Sequence, residues 1–263
     1  MDYLAACMTY ANHGEYLREW IEFHRLVGFE HFFLYDNGST DSSRDVLAPY
    51  VKAGVVDVHP WPGKGRQAAA FTDCVERHRD DARWIGFFDV DEFLFNARGR
   101  PVPDVLEGFE EFPALGVNQL SFGTSGHRTR PDGLVTENYL YRTGIGWIRW
   151  IKSIVDPRRA VRAIDPHRFV HTSGHAVDIA RQPLDGSQSR GFRISGLRIN
   201  HYFSKSEEEL LAKYELPRPD TGAPREPLDI VELRRVQERF VRDESILIYL
   251  PALKEAMSQG ERT

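Results

Sequence analysis

At 263 residues the chain is long enough for one or two domains of ~150 residues, and with 41% hydrophobic and 28% charged residues it can bury a globular core. No apolar run approaches the ~18 residues of a membrane span, and two cysteines, Cys7 and Cys74, exclude a disulfide-dense scaffold or a thiolate zinc site, so a reduced intracellular chain is expected. The net charge of −5 offers no general case for nucleic acid or anionic lipid as a partner.

The first ninety residues alternate between strand and helix patterns. Tyr3 to Thr9 is a short apolar strand, and Asn12 with Glu15 resembles a capping box. Leu17, Trp20, Ile21, His24 and Val27 then recur at helical spacing until Gly28. His31 to Tyr35 is a second strand, followed by a helix through Val46 and Tyr50, a strand at Val55–Val58 and a helix from Gln67 to His78. Trp84 to Phe88 is apolar almost throughout, as in a strand buried on both faces. This β-α-β-α-β-α-β order predicts a mostly parallel α/β sheet.

Beyond Phe95 strands are expected at Leu115–Phe122, Val135–Arg142, Ile151–Val155 and Leu197–Tyr202, with turn-rich segments at 123–133 and 182–191, the latter mobile. Ser206 and Glu209 form a capping box that opens a helix toward Tyr214. A Pro-rich linker at 217–227 leads to a helix over Asp229–Arg242. The expectation is one α/β domain over 1–215 with a linker and C-terminal helices, 216–263, packed on it. Residues 142–168 carry six Arg and Lys152 against Asp156 and Asp165, a local excess that suits either a phosphate-bearing ligand or a solvated basic face.

The sharpest chemical signal is Asp89-Val90-Asp91-Glu92, directly after the buried strand and at the carboxyl edge where open α/β sheets bind ligands. In an extended segment Asp89 and Asp91 share a face. Such a pair suits a hard divalent cation that keeps positions open for substrate phosphates; an acidic turn capping a helix near Glu92 is the plain alternative. The second polar strand end, Asp36-Asn37-Gly38-Ser39-Thr40-Asp41, offers acceptors for ribose hydroxyls and base donors, or simply a turn. Lys64, Arg66 and Gln67, at the start of the third helix, can reach phosphate or ribose, or form a basic loop.

Taken in order, Asn12-x-x-Glu15 with Glu19-Trp20, His24-x-x-x-Gly28, Tyr35 to Asp41, Asp89-Val90-Asp91-Glu92-Phe93, Phe122-Gly123-x-Ser125-Gly126, Lys152 to Val155 and Asn200-His201-Tyr202-x-x-Lys205-Ser206 resemble the family-2-like and family-92 glycosyltransferases over residues 3–215. The resemblance implies a GT-A fold, a nucleotide-binding α/β domain with a DxD motif, and transfer of a sugar from a nucleotide diphosphate, with a UDP-sugar as the expected donor, to an acceptor hydroxyl with inversion. It implies donor binding by Asp36, Asn37, Ser39, Asp41, Lys64, Gln67, Asp89 and Lys152. Asp89, Asp91 and His201 would hold Mn²⁺ or Mg²⁺, with Asp91 the more direct ligand, and the imidazole favours Mn²⁺. The acceptor proton needs a general base, for which Glu137 and Asp178 are the candidates, with His127 and His175 as alternatives. Trp147 and Trp150 can stack on acceptor sugars or belong to the core. The acceptor is expected to be a saccharide or lipid-linked saccharide in surface glycan synthesis, handled in the cytoplasm or at the inner face of the membrane. The apolar segment 246–253 is either a peripheral membrane contact or internal packing. The alternatives are a noncatalytic nucleotide-binding relative and, below it, a sugar nucleotidyltransferase, whose Gly-rich basic loop after the first strand is missing here.

Overall fold

The computed structural model describes residues 1–63, 65–144, 149–218 and 220–259. Strand β1 (Asp2–Tyr10) leads into helix α1 (Gly14–Leu26), then β2 (His31–Asp36), α2 (Ser43–Lys52), β3 (Val56–Pro60), α3 (Gln67–Arg77), β4 (Ala82–Phe87) and β5 (Glu92–Asn96). Next come α4 (Val102–Leu106), β6 (Ala114–Ser121), α5 (Val135–Asn138), β7 (Tyr141–Arg142), β8 (Ile151–Val155), the hairpin of β9 (Ala160–Asp165) and β10 (Arg168–His171), and β11 (Val177–Asp178). The chain closes with β12 (Leu197–His201), α6 (Glu207–Glu215), α7 (Ile230–Gln237), β13 (Val241–Arg242) and α8 (Leu250–Gln259).

The central sheet runs β3-β2-β1-β4-β8-β6-β12-β5, with β11 added on β6. Its first four strands are mutually parallel, and β12 and β11 run parallel to β6. Strands β8 and β5 are antiparallel to their neighbours. This is the mostly parallel α/β sheet expected from the alternation of strands and helices. Period-2 alternation in β1 divides the core: Leu4, Ala6 and Met8 pack with Leu17, Trp20 and Ile21 of α1, whereas Ala5 and Cys7 pack with Ala70, Phe71 and Cys74 of α3. Both cysteines are free and buried.

Strands β4 and β5 are joined only by Phe88 to Asp91, yet β8, β6 and β12 separate them in the sheet. A flat sheet would set them about 19 Å apart, beyond the roughly 17 Å reach of that link. The sheet therefore curls, and its carboxyl edge closes around the Asp89–Asp91 turn. Trp20 braces this turn from α1: its indole N–H donates to the Glu92 carbonyl at 2.9 Å and to that of Asp89 at 3.2 Å.

Several local expectations are corrected. Residues 135–142 form α5 and only a two-residue β7, because the buried Glu19 carboxylate accepts the N–H groups of Val135 and Thr136 at 2.8 and 2.9 Å and so starts a helix. Asn12 does not cap α1. Its left-handed backbone (φ 55°) turns its side chain to the Thr40 N–H, while Asp41 accepts the Gly14 N–H from across the loop, and Glu15 pairs with Arg130. Glu92 opens a strand rather than a helix. The helix expected over 229–242 stops at Gln237, and β13 follows it.

The segment 182–191 is a loop tied to the sheet edge, its Ser187 carbonyl accepting from Ile151 and Ser189 Oγ accepting from the Asn118 amide. The basic stretch 142–168 is dispersed: Arg142 is buried against Asp243, Lys152 is buried in the sheet, and Arg158 lies toward Asp80. In the segment 246–253, Ile246 and Leu253 are buried, Ile248 stays exposed, and α8 packs on α1. Among the described residues no helix is long and apolar enough to cross a membrane.

Candidate active site

The site lies where parallel strands end on one edge. Tyr10 ends β1, Asp36 ends β2, the Asp89–Asp91 turn follows β4, and His201 ends β12 opposite Ser121 of β6. Asp89 and Asp91 occupy a turn closed by the Glu92 N–H on the Asp89 carbonyl at 3.0 Å, so they do not share the face of an extended strand. Each carboxylate has its own partners.

Both Asp89 oxygens are engaged. Lys152 Nζ lies 2.6 Å from Oδ2, and the Gln67 amide, at the first residue of α3, donates to Oδ1 at 2.6 Å. Lys152 projects from the middle of the sheet, 1% exposed, and also reaches Glu92 at 3.3 Å. Burial alone would lower the Lys152 pKa, but Asp89 and Glu92 outweigh it and raise it, fixing the ammonium. Glu92 is fully buried, accepts the Asp89 N–H at 2.9 Å and the Gln119 amide, and is pushed up to about 7 by that burial.

Asp91 turns the other way. Lys213 Nζ of α6 lies 2.6 Å from its Oδ2, and His201 Nε2 lies 3.5 Å from its Oδ1. Burial pushes the Asp91 carboxyl up, yet Lys213 and His201 hold it well below the usual carboxylate range. For His201 burial works downward, while Asp91 and Glu92 raise it above the ordinary imidazole value. The capping box at Ser206–Glu209 forms as expected and sets the phase of α6, which carries Lys213 onto Asp91.

Among the other expected donor residues, Asp36 accepts the N–H groups of Gly38 and Ser39, Ser39 Oγ accepts from the Asn12 N–H, and Asp41 accepts from Gly14 and Ser43. Among the described residues the buried Asn37 Oδ1 has no hydrogen-bond partner. Lys64 and Trp147 lie outside the described residues. Arg66 sits over the Trp61 ring, and Trp150, 40% exposed, stacks on His167 with centroids 5.0 Å apart.

The expected bases each have partners of their own. Glu137 is ion-paired with Lys254 of α8. Asp178 is buried, holds a turn by accepting from Ala180 and Gln182, and pairs in register with Gly116. His201 pairs with Ser121 on the same strand, about 17 Å further along. His127 contacts the Asn138 carbonyl, and His175 lines a cavity of about 250 Å³ whose walls include neither Asp89 nor Asp91.

Lys213, Lys205 and His13 were not read as site residues from the sequence. All three surround Asp91 electrostatically. Lys205 stands inside the Asn200–Ser206 motif and Lys213 is seven residues beyond the α6 cap, but only the docking of α6 shows which way they point.

Residues 2–227 match the model of glycosyltransferase family 92. The chain belongs to glycosyltransferase family 92. A glycosyltransferase family 92 protein of Oryza sativa subsp. japonica is 34% identical over 143 residues, covering 53% of this chain and 24% of that protein. A galactan β-1,4-galactosyltransferase of Arabidopsis thaliana is 34% identical over 114 residues, 40% of this chain and 22% of that protein. The matches thus span about a quarter of the length of these relatives. The crystal structure of S. aureus TarS 1–349 overlaps this family 92 chain with a TM-score of 0.42 and 12% identity, over 59% of this chain and 47% of that one, too slight a likeness to bear on function.

Proposed function

We propose that the chain is a metal-dependent glycosyltransferase unit that moves a sugar from a nucleotide-diphosphate donor, a UDP-sugar in the first instance, to a hydroxyl of a saccharide acceptor with inversion. The observation that carries this reading is the pairing of Asp91 Oδ1 with His201 Nε2, 3.5 Å apart at the carboxyl edge of the sheet. One oxygen and one imidazole nitrogen at that separation fit a single Mn²⁺ or Mg²⁺ ion. Among the described residues no group of three or more His, Cys, Asp or Glu side chains could hold a metal together. The remaining positions then fall to donor phosphates and water, the usual pattern for such ions at phosphate-bearing substrates.

When bound, the ion supplies Lewis-acid stabilisation of the departing diphosphate. The chain's own residues prepare the place. Lys152 and Gln67 hold Asp89 as a fixed anion, and Trp20 fixes the backbone of the turn, so Asp91 and His201 stay oriented without reorganisation. The Asp36–Asp41 loop, stiffened by its internal hydrogen bonds, holds the Asn37 side-chain oxygen, which has no partner among the described residues, as an acceptor for the nucleoside. Similarity to a galactan galactosyltransferase supports a glycan acceptor. In the transfer the acceptor oxygen bonds to the anomeric carbon as the bond to the diphosphate oxygen breaks, and the hydroxyl proton passes to a base.

Glu137 tied to Lys254, and Asp178 tied into its turn, favour a second reading, a nucleotide-binding relative that does not transfer. Calorimetric titration with UDP in Mn²⁺ and again in EDTA tests what the two share: binding that needs the metal is expected, and none in either condition would remove the UDP-sugar reading. Transfer of labelled sugar from UDP-galactose to galactan oligosaccharides is expected of the enzyme and absent from the binding relative.

A further inference from the structure

We propose that Lys205 holds the diphosphate of the donor. This rests on the nucleotide-sugar reading above and adds a residue that neither the DxD turn nor His201 accounts for. Lys205 is 9% exposed, and its backbone adopts a left-handed conformation (φ 48°) that side-chain-bearing residues rarely take. Such strain persists where the surroundings over-determine it, and it collects at ligand sites. Lys205 Nζ rests 3.4 Å from the centroid of the Tyr16 ring. No carboxylate is bonded to it among the described residues.

The nearby carboxylates are already engaged. Asp89 and Glu92 share Lys152, and Asp91 is held by Lys213 and His201. Glu209 accepts from Tyr16, Tyr139 and Ser206. A buried ammonium without a counter-ion is costly, and the Tyr16 face offsets only part of that cost. Burial brings the Lys205 pKa down to about 8, with Lys213 and Arg130 adding to that effect and Asp91 and Glu209 opposing it only in part, and burial with the Lys205 charge presses His13 down to about 4.

An anion placed between Lys205 and the Asp91–His201 pair would complete the charge pattern. The anion that the proposed reaction brings to that position is the nucleoside diphosphate, whose charge rises as the sugar departs. Lys205 remains protonated throughout and exchanges no bond; it neutralises phosphate oxygen. Placing the ammonium on the Tyr16 ring needs the chain to turn sharply between Tyr202 and Ser206.

The test compares UDP with uridine, in Mn²⁺, by calorimetry on the parent, Lys205→Met and Lys205→Arg. Lys205→Met should weaken UDP at least 10-fold and leave uridine within twofold, while Lys205→Arg should keep most of the UDP affinity. Lys205→Gln carries the same comparison if the methionine variant does not fold. Equal losses for UDP and uridine would assign Lys205 a structural role and overturn the proposal, as would unchanged UDP binding. If the parent itself binds no UDP, the nucleotide-sugar reading falls first, and this proposal with it.

Discussion

At the scale of single residues the proposed site gives its two carboxylates different partners. Asp89 is ion-paired with Lys152 and hydrogen-bonded by Gln67, whereas Asp91 faces His201 and Lys213. Asp91→Asn and His201→Ala should therefore each weaken Mn²⁺-dependent UDP binding at least 10-fold in calorimetry, with circular dichroism unchanged. Two variants that bind as the parent does would show the metal assignment to be wrong. Lys152→Met has a different consequence, since it strands the buried Glu92 and its neighbour Asp89 without their shared cation. Breaking a buried pair in this way costs about 3–5 kcal/mol, and urea unfolding should show a loss of that order. A change within 0.5 kcal/mol would mean that Lys152 is not the cation holding these carboxylates.

At the scale of elements, the least expected feature is how the C-terminal segment is pinned. Asp243, just after β13, accepts from Arg142 of β7 at 2.6 Å and from Arg198 of β12 at 2.7 and 3.0 Å, all three being largely buried. Gln237, at the end of α7, accepts from the Thr124 N–H and hydroxyl. Burial pushes the Asp243 carboxyl up, but hydrogen bonds from Arg198 and Arg142 win and hold it far below the usual range. A carboxyl depressed on folding contributes stability that is present above its unfolded value of ~4 and lost as pH falls through the folded one. Asp243→Asn should thus cost about 3–5 kcal/mol at neutral pH by leaving two buried guanidinium groups short of charge. The gap between parent and variant in denaturant unfolding should narrow as pH is lowered below 4. A gap independent of pH would show that the cluster does not act through its ionised form.

At the scale of the whole molecule, the curled sheet brings the ends of β1, β2, β4 and β12 to one edge, so donor and metal binding should be felt by the entire fold. Ligand at 100 times its Kd adds about 2.7 kcal/mol to stability, which for a domain of this size raises Tm by roughly 5–10 °C. UDP with Mn²⁺ should produce such a shift, and UDP with EDTA should not. Equal shifts in both conditions would argue for a site that needs no metal.

The order of strands and helices through β4, the Asp89–Asp91 carboxylates at a strand end and the capping box of α6 were legible because each depends on short-range rules: period-2 and period-3.6 patterning, a run of apolar residues, a Ser followed by Glu at the helix start. Those same rules misread 135–142 as a strand, since the carboxylate that starts α5 belongs to Glu19 on another helix. They also could not say how far the candidate bases stand from the carboxylate pair. Asp178 and Glu137 have suitable chemistry, but the register of β11 on β6 sets Asp178 well along β6 from His201, and Glu137 is ion-paired with Lys254. Lys205 and Lys213 became site residues only through the docking of α6 against Tyr16 and Asp91. By itself, then, the sequence determined the local elements, the parallel sheet and the family to which the chain belongs. Which charges meet was decided by tertiary structure alone, because Coulomb and hydrogen-bond partners are chosen by distance in space, and curling of the sheet brings together residues far apart along the chain.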